Sequence, residues 1–494
     1  WIRVYFQIVF IGGYEENMKR IMILLGLAAM VSVAIASGPE NADYHHDQML
    51  ICLQPDVVLQ DIAYRNDMPV TGLESLDQLL ELREIIAVEK YLPAATPDDM
   101  DGDVILSNIF RLKFDPTRSD VNQIIADFAV NPHILYAEAD PIRRVDYTPN
   151  DVRYGNQWFL NKVKANDAWD LWDIAGGETP GDLSIVLASV DTGVQYTHPD
   201  LWKRSWVNQA EVPADIFDAV DTDDDGIVNA EEVVAYCSDY NSSGSVNLQD
   251  ALHSTSPFMN GVDEDNWDNQ ANTYVDDLLG WDIAGTTSGY DPDNDPMGAF
   301  SGPSNLSTRM HGTHVAGLLC AQTDNSIGIA SAMYNGLFMS VKVLYDQGDG
   351  GISGGMSGML YAAKAGADIL NMSWGGPSYS SSEQSTVNLI HNTYGAIMVA
   401  AAGNGNDNGT PSDQPHYPSG YNNIVSVTAL GTGDNFSWAN YGDGVGNPNF
   451  SGVSISAPGE MMHSTVYTTA GYYDSWNGTS MASPLVASCF GLLK

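Results

Sequence analysis

The chain has 494 residues, enough for two or three domains, and its 44% hydrophobic content is ordinary for a globular protein. Its 63 acidic and 20 basic residues give a formal net charge of −43, which argues against nucleic acid and anionic membrane surfaces as partners. No Lys or Arg occurs between Arg204 and Arg309, so this acidic stretch is predicted to be either disordered or neutralised by metal ions.

The N-terminal region predicts export. The basic start M-K-R at 18–20 precedes an apolar run at 21–35, and A-I-A at 34–36 forms a small-residue cleavage site. Residues 18–36 are therefore predicted to be a secretory signal peptide, with a signal anchor as the alternative. After cleavage the protein is expected to be extracellular and free of the membrane. Residues 1–17 are interpreted as translated flanking sequence.

The next segment, residues 37–146, mixes helical and alternating apolar patterns and precedes a longer region with a different organisation. In that longer region, residues 147–494, apolar runs typical of buried strands alternate with helical stretches. The predicted strands are 183–190, 338–344, 368–372, 397–401, 424–429 and 453–457, and the predicted helices are 313–321, 355–365 and 381–394. This alternation predicts an α/β fold with a doubly wound, mostly parallel sheet.

Three motifs suggest nucleophilic catalysis. They are V-D-T-G-V at 190–194, H-G-T-H-V-A-G at 311–317 and G-T-S-M-A-S-P at 478–484. A serine hydroxyl is a weak nucleophile unless a histidine accepts its proton and a carboxylate orients that histidine. Each motif alone could be a turn or a helix start, but together they predict a triad of Asp191, His311 and Ser480.

These motifs, in this order, resemble those of the subtilases, the subtilisin-like serine endopeptidases. The resemblance implies hydrolysis of peptide bonds in proteins through an acyl-enzyme. It also implies that Asn404, in A-A-A-G-N at 400–404, donates to the oxyanion, although a turn residue is the alternative reading. Two segments would form the walls of the primary specificity pocket. They are Ser373, Trp374, Gly375 and Gly376, and Ala401, Ala402 and Gly403.

The resemblance also implies a zymogen. Residues 37–146 end like a subtilase propeptide, a small α+β domain that inhibits the active site of its own chain, with an ordinary N-terminal domain as the alternative. Residues 147–151 resemble the mature start of thermitase-type members, and cleavage is expected near Asp146-Tyr147. Residues 147–494 would be the catalytic domain. This domain is expected to be truncated at its C-terminus, because family members continue beyond the helix that Ser480 is expected to open.

An insertion at residues 212–259 carries a pattern that fits an EF-hand calcium loop at 221–232. The predicted ligands are the side chains of Asp221, Asp223, Asp225, Asn229 and Glu232 and the carbonyl of Ile227. An acidic surface loop is the alternative. A second loop resembles that of a dockerin, and whether it binds calcium stays open at this stage. Its oxygen-bearing residues are Asp239, Asn241, Ser243, Ser245, Asn247 and Asp250.

A third calcium site is implied by the resemblance alone. Residues 325–329 match the loop that interrupts the helix after the catalytic histidine in subtilases. The implied ligands are the side chains of Asp200, Asn325 and Asp151 and the carbonyls of Thr323, Ile327 and Ile329.

The sequence is thus interpreted as that of a secreted, calcium-dependent serine endopeptidase made as a self-processed zymogen. Its expected partners are protein or peptide substrates and its own propeptide. The alternative is a calcium-dependent docking protein built on a non-catalytic subtilase scaffold. The four cysteines are far apart and form no metal-like pair, so their disulfide state is left open.

Overall fold

A computed structural model describes residues 44–59, 62–65, 68–118, 120–142, 147–263, 273–285, 292–298, 309–344, 354–405, 412–435, 438–442, 452–468 and 471–494. The chain divides into two compact units, Trp1–Arg144 and Val145–Lys494. The predicted flanking segment and signal peptide lie outside the described residues. Within the described residues, no helix has the length and apolar character needed to cross a bilayer. The four cysteines are unbonded thiols.

The first unit is an α+β domain. Its elements are β1 (Tyr44–Leu53), β2 (Ala63–Arg65), β3 (Met68–Val70), α1 (Glu74–Leu82), β4 (Ala87–Lys90), β5 (Met100–Asp101), β6 (Val104–Ile105), a 3₁₀ turn (Leu106–Asn108), β7 (Ile109–Lys113), α2 (Val121–Ala129) and β8 (Ile134–Pro141). Four antiparallel strands form a sheet in the order β4-β7-β1-β8. Met49 and Ile51 of the central strand β1 are buried in one core with Ile124 and Phe128 of α2.

The second unit contains a larger set of elements. Its N-terminal part contains a 3₁₀ turn (Tyr154–Asn156), α3 (Trp158–Lys162), α4 (Ala165–Trp169), a 3₁₀ turn (Ile174–Gly176), β9 (Val186–Asp191), a 3₁₀ turn (Trp202–Arg204), α5 (Phe217–Val220), α6 (Ala230–Tyr236), α7 (Leu248–Ala251) and β10 (Gly280–Asp282). Then follow α8 (His311–Cys320), β11 (Leu337–Lys342), α9 (Gly355–Lys364), β12 (Ile369–Met372), α10 (Ser381–Leu389), a π-helical turn (Ile390–Tyr394), β13 (Ile397–Ala401), β14 (Ile424–Leu430), β15 (Ile455–Pro458), β16 (Met462–Thr468), β17 (Gly471–Trp476) and α11 (Thr479–Leu493).

The central sheet of this unit is parallel and doubly wound, which confirms the predicted fold class. Its seven strands lie in the order β10-β11-β9-β12-β13-β14-β15, and every pair is parallel. Successive side chains of β9 point into two different hydrophobic cores. Leu187 belongs to the core that also contains Leu318 of α8 and Leu485 of α11. Ala188 shares the other with Met359 of α9. Because both faces are covered by helices, the strands are mostly apolar, with a few buried polar residues such as Ser340 and Lys342 of β11 and Asn371 of β12.

The strand order reverses direction at β9. From β9 the chain proceeds to β11 on one side of it and then returns to β12 on the other side. In open α/β sheets, ligands bind at such a switch point, outside the carboxyl ends of the strands. Asp191 is the last residue of β9 and therefore lies at this point.

Two features of the unit were not predicted. The short edge strand β10 lies beside β11, and β16 and β17 form an antiparallel hairpin with Met462 opposite Trp476. The predicted helix 381–394 is also not uniform, since α10 ends at Leu389 and continues as a π-helical turn.

A buried ion pair joins β10 to β11. Lys342 Nζ lies 2.6 Å from Asp282 Oδ2, and the two side chains are only 2% and 1% exposed. Burial raises the pKa of Asp282 to about 6 although Lys342 opposes this increase. In the sheet register, Lys342 is also the direct neighbour of Asp191. The pair therefore lies next to the strand end that carries the candidate site.

Lys342→Met should destabilise the second unit by about 3–5 kcal/mol, because the buried Asp282 carboxylate would lose its counter-charge. The matched control is Lys162→Met, which breaks an exposed pair with Asp434 and should cost at most ~1 kcal/mol. Melting temperatures of both variants, measured by circular dichroism, test the difference. Equal melting temperatures would contradict the assignment of a structural role to the buried pair.

Candidate active site and calcium loops

The end of β9 and the start of α8 bring a carboxylate and an imidazole together. Asp191 is 1% exposed, and its Oδ1 lies 2.8 Å from His311 Nδ1. The same oxygen accepts the Thr192 N–H at 2.7 Å, and the Thr192 hydroxyl oxygen accepts the Gly312 N–H at 2.9 Å. A side chain at Gly312 would place its Cβ 2.3 Å from the Gly193 carbonyl oxygen, so only glycine permits this close approach of helix and strand end.

The electrostatic environment favours a protonated imidazole more than burial opposes it. Burial lowers the pKa of His311, but the charge of Asp191 and its hydrogen bond outweigh that effect and raise the pKa above 6.5. The hydrogen bond also orients the ring, since Nδ1 faces the carboxylate and Nε2 is left for another partner. The Asp191–His311 contact can therefore stabilise an imidazolium.

Ser480 lies in the first turn of α11, which begins at Thr479. Its hydroxyl donates to the carbonyl oxygen of Ser373 at 3.0 Å. Within the part of the chain that the structure describes, the Ser480 hydroxyl forms no hydrogen bond with His311. Contacts between a nucleophile and its base are often long in enzymes without bound substrate. The Ser480 N–H belongs to the first helical turn, where backbone donors lack intrahelical acceptors. It is thus available to a ligand oxygen.

The amide of Asn404 is held in one orientation by Thr479. Its Oδ1 accepts the Thr479 N–H at 2.8 Å and the Thr479 hydroxyl at 2.9 Å. Because both donors occupy the oxygen, the amide nitrogen is left as a donor. Asn404 follows β13 directly and borders the same cleft as Ser480 and His311.

One cleft thus contains all four predicted catalytic residues. The described residues that line it are Asp191, Thr192, His311, Leu344, Gly354, Gly355, Met356, Ser357, Ser373, Trp374, Gly375, Gly376, Pro377, Ser378, Glu383, Asn404, Tyr417, Trp476, Asn477, Ser480 and Met481. Sequence reasoning missed several of these, among them Met356, Glu383 and Trp476. No local motif marks them, because they reach the cleft only through the folding of distant segments.

The first predicted pocket wall lines the cleft, and the second is buried. Ser373, Trp374, Gly375 and Gly376 are all lining residues. Ala401, Ala402 and Gly403 are buried and are not among the described lining residues. The ring of His416 lies between the two segments. A Cβ at Gly375 would lie 2.4 Å from its Cε1, and a Cβ at Gly403 would lie 2.9 Å from its Cδ2.

The second histidine of the 311–317 motif has a structural environment. His314 is fully buried, and its ring stacks on Trp476 with centroids 4.5 Å apart. Burial lowers its pKa to about 3, so the ring is neutral at ordinary pH. It therefore packs between α8 and β17 and does not supply a proton acceptor to the cleft.

The loop at 221–232 gathers three carboxylates. Oxygens of Asp221, Asp223 and Asp225 lie within 4.8 Å of one another. Asp221 is 7% exposed, and its Oδ1 has no hydrogen-bond partner among the described residues. The hydrogen bond from the Asp225 N–H lowers the pKa of Asp223, but desolvation and the surrounding carboxylates outweigh it and raise the pKa. This excess of like charge would be relieved by a cation.

The other predicted ligands of this loop cap the helix that follows it. Asn229 and Glu232 form a capping box at the start of α6, and Glu232 Oε1 also accepts the Thr222 N–H at 2.7 Å. The Ile227 N–H donates to Asp225 Oδ1 at 2.7 Å. Glu232 therefore closes the loop by joining its second residue to its last.

The second loop, 239–250, has the same backbone pattern. Asp239 accepts the Gly244 N–H at 2.9 Å, as Asp221 accepts the Gly226 N–H at 3.0 Å. The Asn247 N–H donates to Asp250, which also forms a capping box at the start of α7. Ser243 and Asn241 are tied into the turn, since the Ser243 N–H donates to Asn241 Oδ1 and its hydroxyl to the carbonyl of Ser245. Among the described residues, a cluster of three carboxylates occurs in the first loop and not in this one.

The residues of the third predicted calcium site converge only in part. Asp200 is fully buried, and it accepts Asn325 Nδ2 at 2.7 Å and the Ile329 N–H at 2.9 Å. Asn325 Oδ1 accepts the Ile327 N–H, so the amide nitrogen faces Asp200. Burial raises the pKa of Asp200 to about 7 and that of Asp151 to about 6. Asp151 Oδ1 is buried and has no hydrogen-bond partner among the described residues. Thr323, two residues before Asn325, is also buried.

The cleft at the carboxyl edge of the parallel sheet thus contains a carboxylate, an imidazole and a serine hydroxyl, and the serine lies in the first turn of a helix. These features define an α/β protein equipped for acyl transfer. The family model described as "Subtilase family" matches residues 183–494. The chain belongs to the subtilase family and is a serine endopeptidase.

Two relatives with similar sequences agree with this assignment. Thermitase of Thermoactinomyces vulgaris is 30% identical over 349 residues, covering 70% of this chain and 85% of that protein. A thermophilic serine proteinase of Bacillus sp. (strain AK1) is 29% identical over 395 residues, covering 80% of this chain and 70% of that protein. A solved structure of a protease from Pseudoalteromonas arctica PAMC 21717 is similar with a TM-score of 0.47 and 24% identity, covering 70% of this chain and 87% of that one.

Asp191→Asn should lower the pKa of His311. With the charge removed, only burial would act on the imidazole, and the pKa would fall below 6.5 instead of lying above it. Titration of the His311 ring resonances by NMR measures the shift. A pKa that is unchanged in the variant would contradict electrostatic coupling of the two residues.

Proposed function

We propose that Asp191, His311 and Ser480 form the catalytic triad of this endopeptidase and that Asn404 and the Ser480 N–H bind the oxyanion. The proposal rests on one observation above all: the 2.8 Å contact between His311 Nδ1 and Asp191 lies in the cleft that Ser480 and Asn404 also line. Membership of the subtilase family also supports the proposal, since the three motifs lie within residues 183–494, which the family model matches.

In this proposal, His311 Nε2 accepts the proton of the Ser480 hydroxyl as its oxygen attacks the substrate carbonyl. The imidazolium that forms is stabilised by the buried Asp191 carboxylate, and it then donates its proton to the leaving amine. For the first step, the Ser480 hydroxyl exchanges its acceptor, the Ser373 carbonyl oxygen, for His311 Nε2.

The developing oxyanion would receive two donors. One is the amide nitrogen of Asn404, whose orientation Thr479 fixes before substrate arrives. The other is the Ser480 N–H at the start of α11, where the helix dipole also favours negative charge. Because neither donor has to reorganise, their stabilisation of the transition state is available at once.

Ser480→Ala should abolish hydrolysis of unfolded protein, because no other side chain replaces the nucleophile. Asn404→Ala should retain hydrolysis with kcat lowered by about 10²–10³, a magnitude established for a subtilisin. Turnover is measured on a quenched fluorescent protein substrate with the secreted enzyme. Wild-type turnover by the Ser480→Ala protein would disprove the assignment.

Covalent labelling by a fluorophosphonate separates this proposal from a non-catalytic scaffold. The wild type and the Asn404→Ala variant should both react at serine, whereas Ser480→Ala should not.

The same Ser480→Ala protein also reports on processing. We propose that residues 37–146 are an inhibitory propeptide removed by the enzyme itself near Asp146-Tyr147, after residues 18–36 have directed secretion. The inactive variant should therefore stay unprocessed.

We further propose that calcium stabilises the protein. The donor set of loop 221–232 suits a hard cation, since it offers three clustered carboxylates and a buried, unsatisfied Asp221 oxygen. Asp223, Asp225, Asn229, Glu232 and the Ile227 carbonyl would complete it. At the Asp200 site the unsatisfied Asp151 oxygen also favours a cation, with the Asn325 amide rotated so that its oxygen faces inward. Bound calcium would offset the charge repulsion at both places.

Chelation should make the insertion at 212–259 sensitive to proteolysis before the catalytic unit unfolds, and Glu232→Gln should do the same in the presence of calcium. Binding to the folded state alone contributes ~2.7 kcal/mol at a hundredfold excess over Kd. Chymotrypsin suits this test, because Tyr236 and Tyr240 lie in the insertion, which contains no Lys or Arg. The experiment uses the Ser480→Ala background to prevent self-digestion.

The matched control is Asp218→Asn, which removes an exposed acid of the insertion outside both loops and should leave calcium protection intact. Asn325→Ala should instead lower the melting temperature of the whole catalytic unit, because its loop is packed against the buried Asp200. Protection of the Glu232→Gln protein equal to that of wild type would rule out the EF-hand interpretation.

A further inference from the structure

Glu383 is a charged side chain in the cleft that the proposed mechanism does not use. It lies in the first turn of α10 and lines the cleft with Pro377, Ser378 and Tyr417. Apart from Asp191 and His311, it is the sole Asp, Glu, Lys, Arg or His among the described lining residues. The half-buried carboxylate therefore sets the charge of this part of the cleft.

A buried tyrosine holds the carboxylate in place. Tyr421 is fully buried, and its hydroxyl donates to Glu383 Oε2 at 2.6 Å. Burial and the adjacent carboxylate raise the pKa of Tyr421, so the phenol stays protonated and remains a donor. The same phenol oxygen accepts the Ser380 N–H at 3.0 Å, which ties the start of α10 to Tyr421. Glu383 is thus positioned before any ligand binds.

The second oxygen of Glu383 has no hydrogen-bond partner among the residues that the structure describes, and no Lys or Arg lies among the described lining residues. A positioned carboxylate in a partly desolvated cleft attracts a cation more strongly than one in bulk water. In a peptidase, the cations that enter the cleft are the side chains of lysine and arginine in the substrate.

We propose that Glu383 is a specificity-determining residue that selects substrates with a basic side chain at one position of the bound peptide. This inference rests on the proposed function of the cleft and adds to it the class of substrate. The alternative role of Glu383 is structural, since an acidic residue in the first turn also stabilises a helix and Tyr421 needs an acceptor. The two roles differ in their effect on substrate charge.

The experiment compares peptides that carry lysine or uncharged norleucine at each of the four positions before the scissile bond. Wild-type enzyme should show a higher kcat/KM for lysine at one position, and in Glu383→Gln the ratio at that position should fall at least about fivefold. The glutamine oxygen still accepts the Tyr421 hydroxyl, so the contact is kept while the charge is removed. Glu383→Lys should reverse the preference in favour of glutamate.

Glu460→Gln is the matched control. Glu460 is also half-buried and its carboxylate accepts the Thr432 N–H at 2.8 Å, but it is not among the described residues of the cleft. The substitution removes the same charge from the same unit, so its lysine-to-norleucine ratio should equal that of wild type. This control separates a local effect from the general attraction of a chain with net charge −43 for cations.

A wild-type enzyme without lysine preference at any position, or a Glu383→Gln enzyme with the wild-type ratio, would overturn the inference. The absence of a lysine preference in the wild type overturns the inference even if the variants fail to fold. Failure of wild type to cleave any peptide or to react with a fluorophosphonate would instead overturn the proposed function, so the two failures are distinguishable.

Discussion

The contact between Asp191 and His311 is the constraint to which the rest of the catalytic unit is fitted. Asp191 is buried at the end of the central strand, and its hydrogen bond to His311 offsets part of the cost of removing the carboxylate from water. This short contact requires the first residues of α8 to pack directly against Gly193, which follows β9. Because the two backbones are so close, no side chain fits at Gly312. The reversal of strand order at β9 opens the crevice in which the contact is accessible.

Much of the fold could be predicted because its signals are local. Most strands of the sheet are buried on both faces and appear as largely apolar runs, and the helices between them have their own periodicity. The proposed catalytic residues and the loop at 221–232 could be predicted as candidates for the same reason, since each is embedded in a short motif whose turn chemistry requires particular residues. Gly226, for example, has φ +85°, which the predicted loop turn demands.

The remaining features depend on contacts between distant segments. Strand β10 has only three residues and is defined by its pairing with β11, and the β16–β17 hairpin lacks a strong turn signal. The sequence around Glu383 is an ordinary helix start, and its place in the cleft follows from the packing of Tyr421 beneath it. Likewise, the place of the His416 ring between the two predicted pocket walls follows from the packing of distant segments.

Helix α11 is tied to the ends of two neighbouring strands. Ser373, which follows β12, bonds to the Ser480 carbonyl and to Ser483, while Asn404 and Gly403, which follow β13, bond to Thr479. Ser480 is therefore not on a segment that can melt by itself, because its helix cannot detach without disrupting the strand ends. Heat inactivation and loss of the sheet should consequently be one cooperative event, and the lifetime of activity would be set by the unfolding barrier of the whole unit.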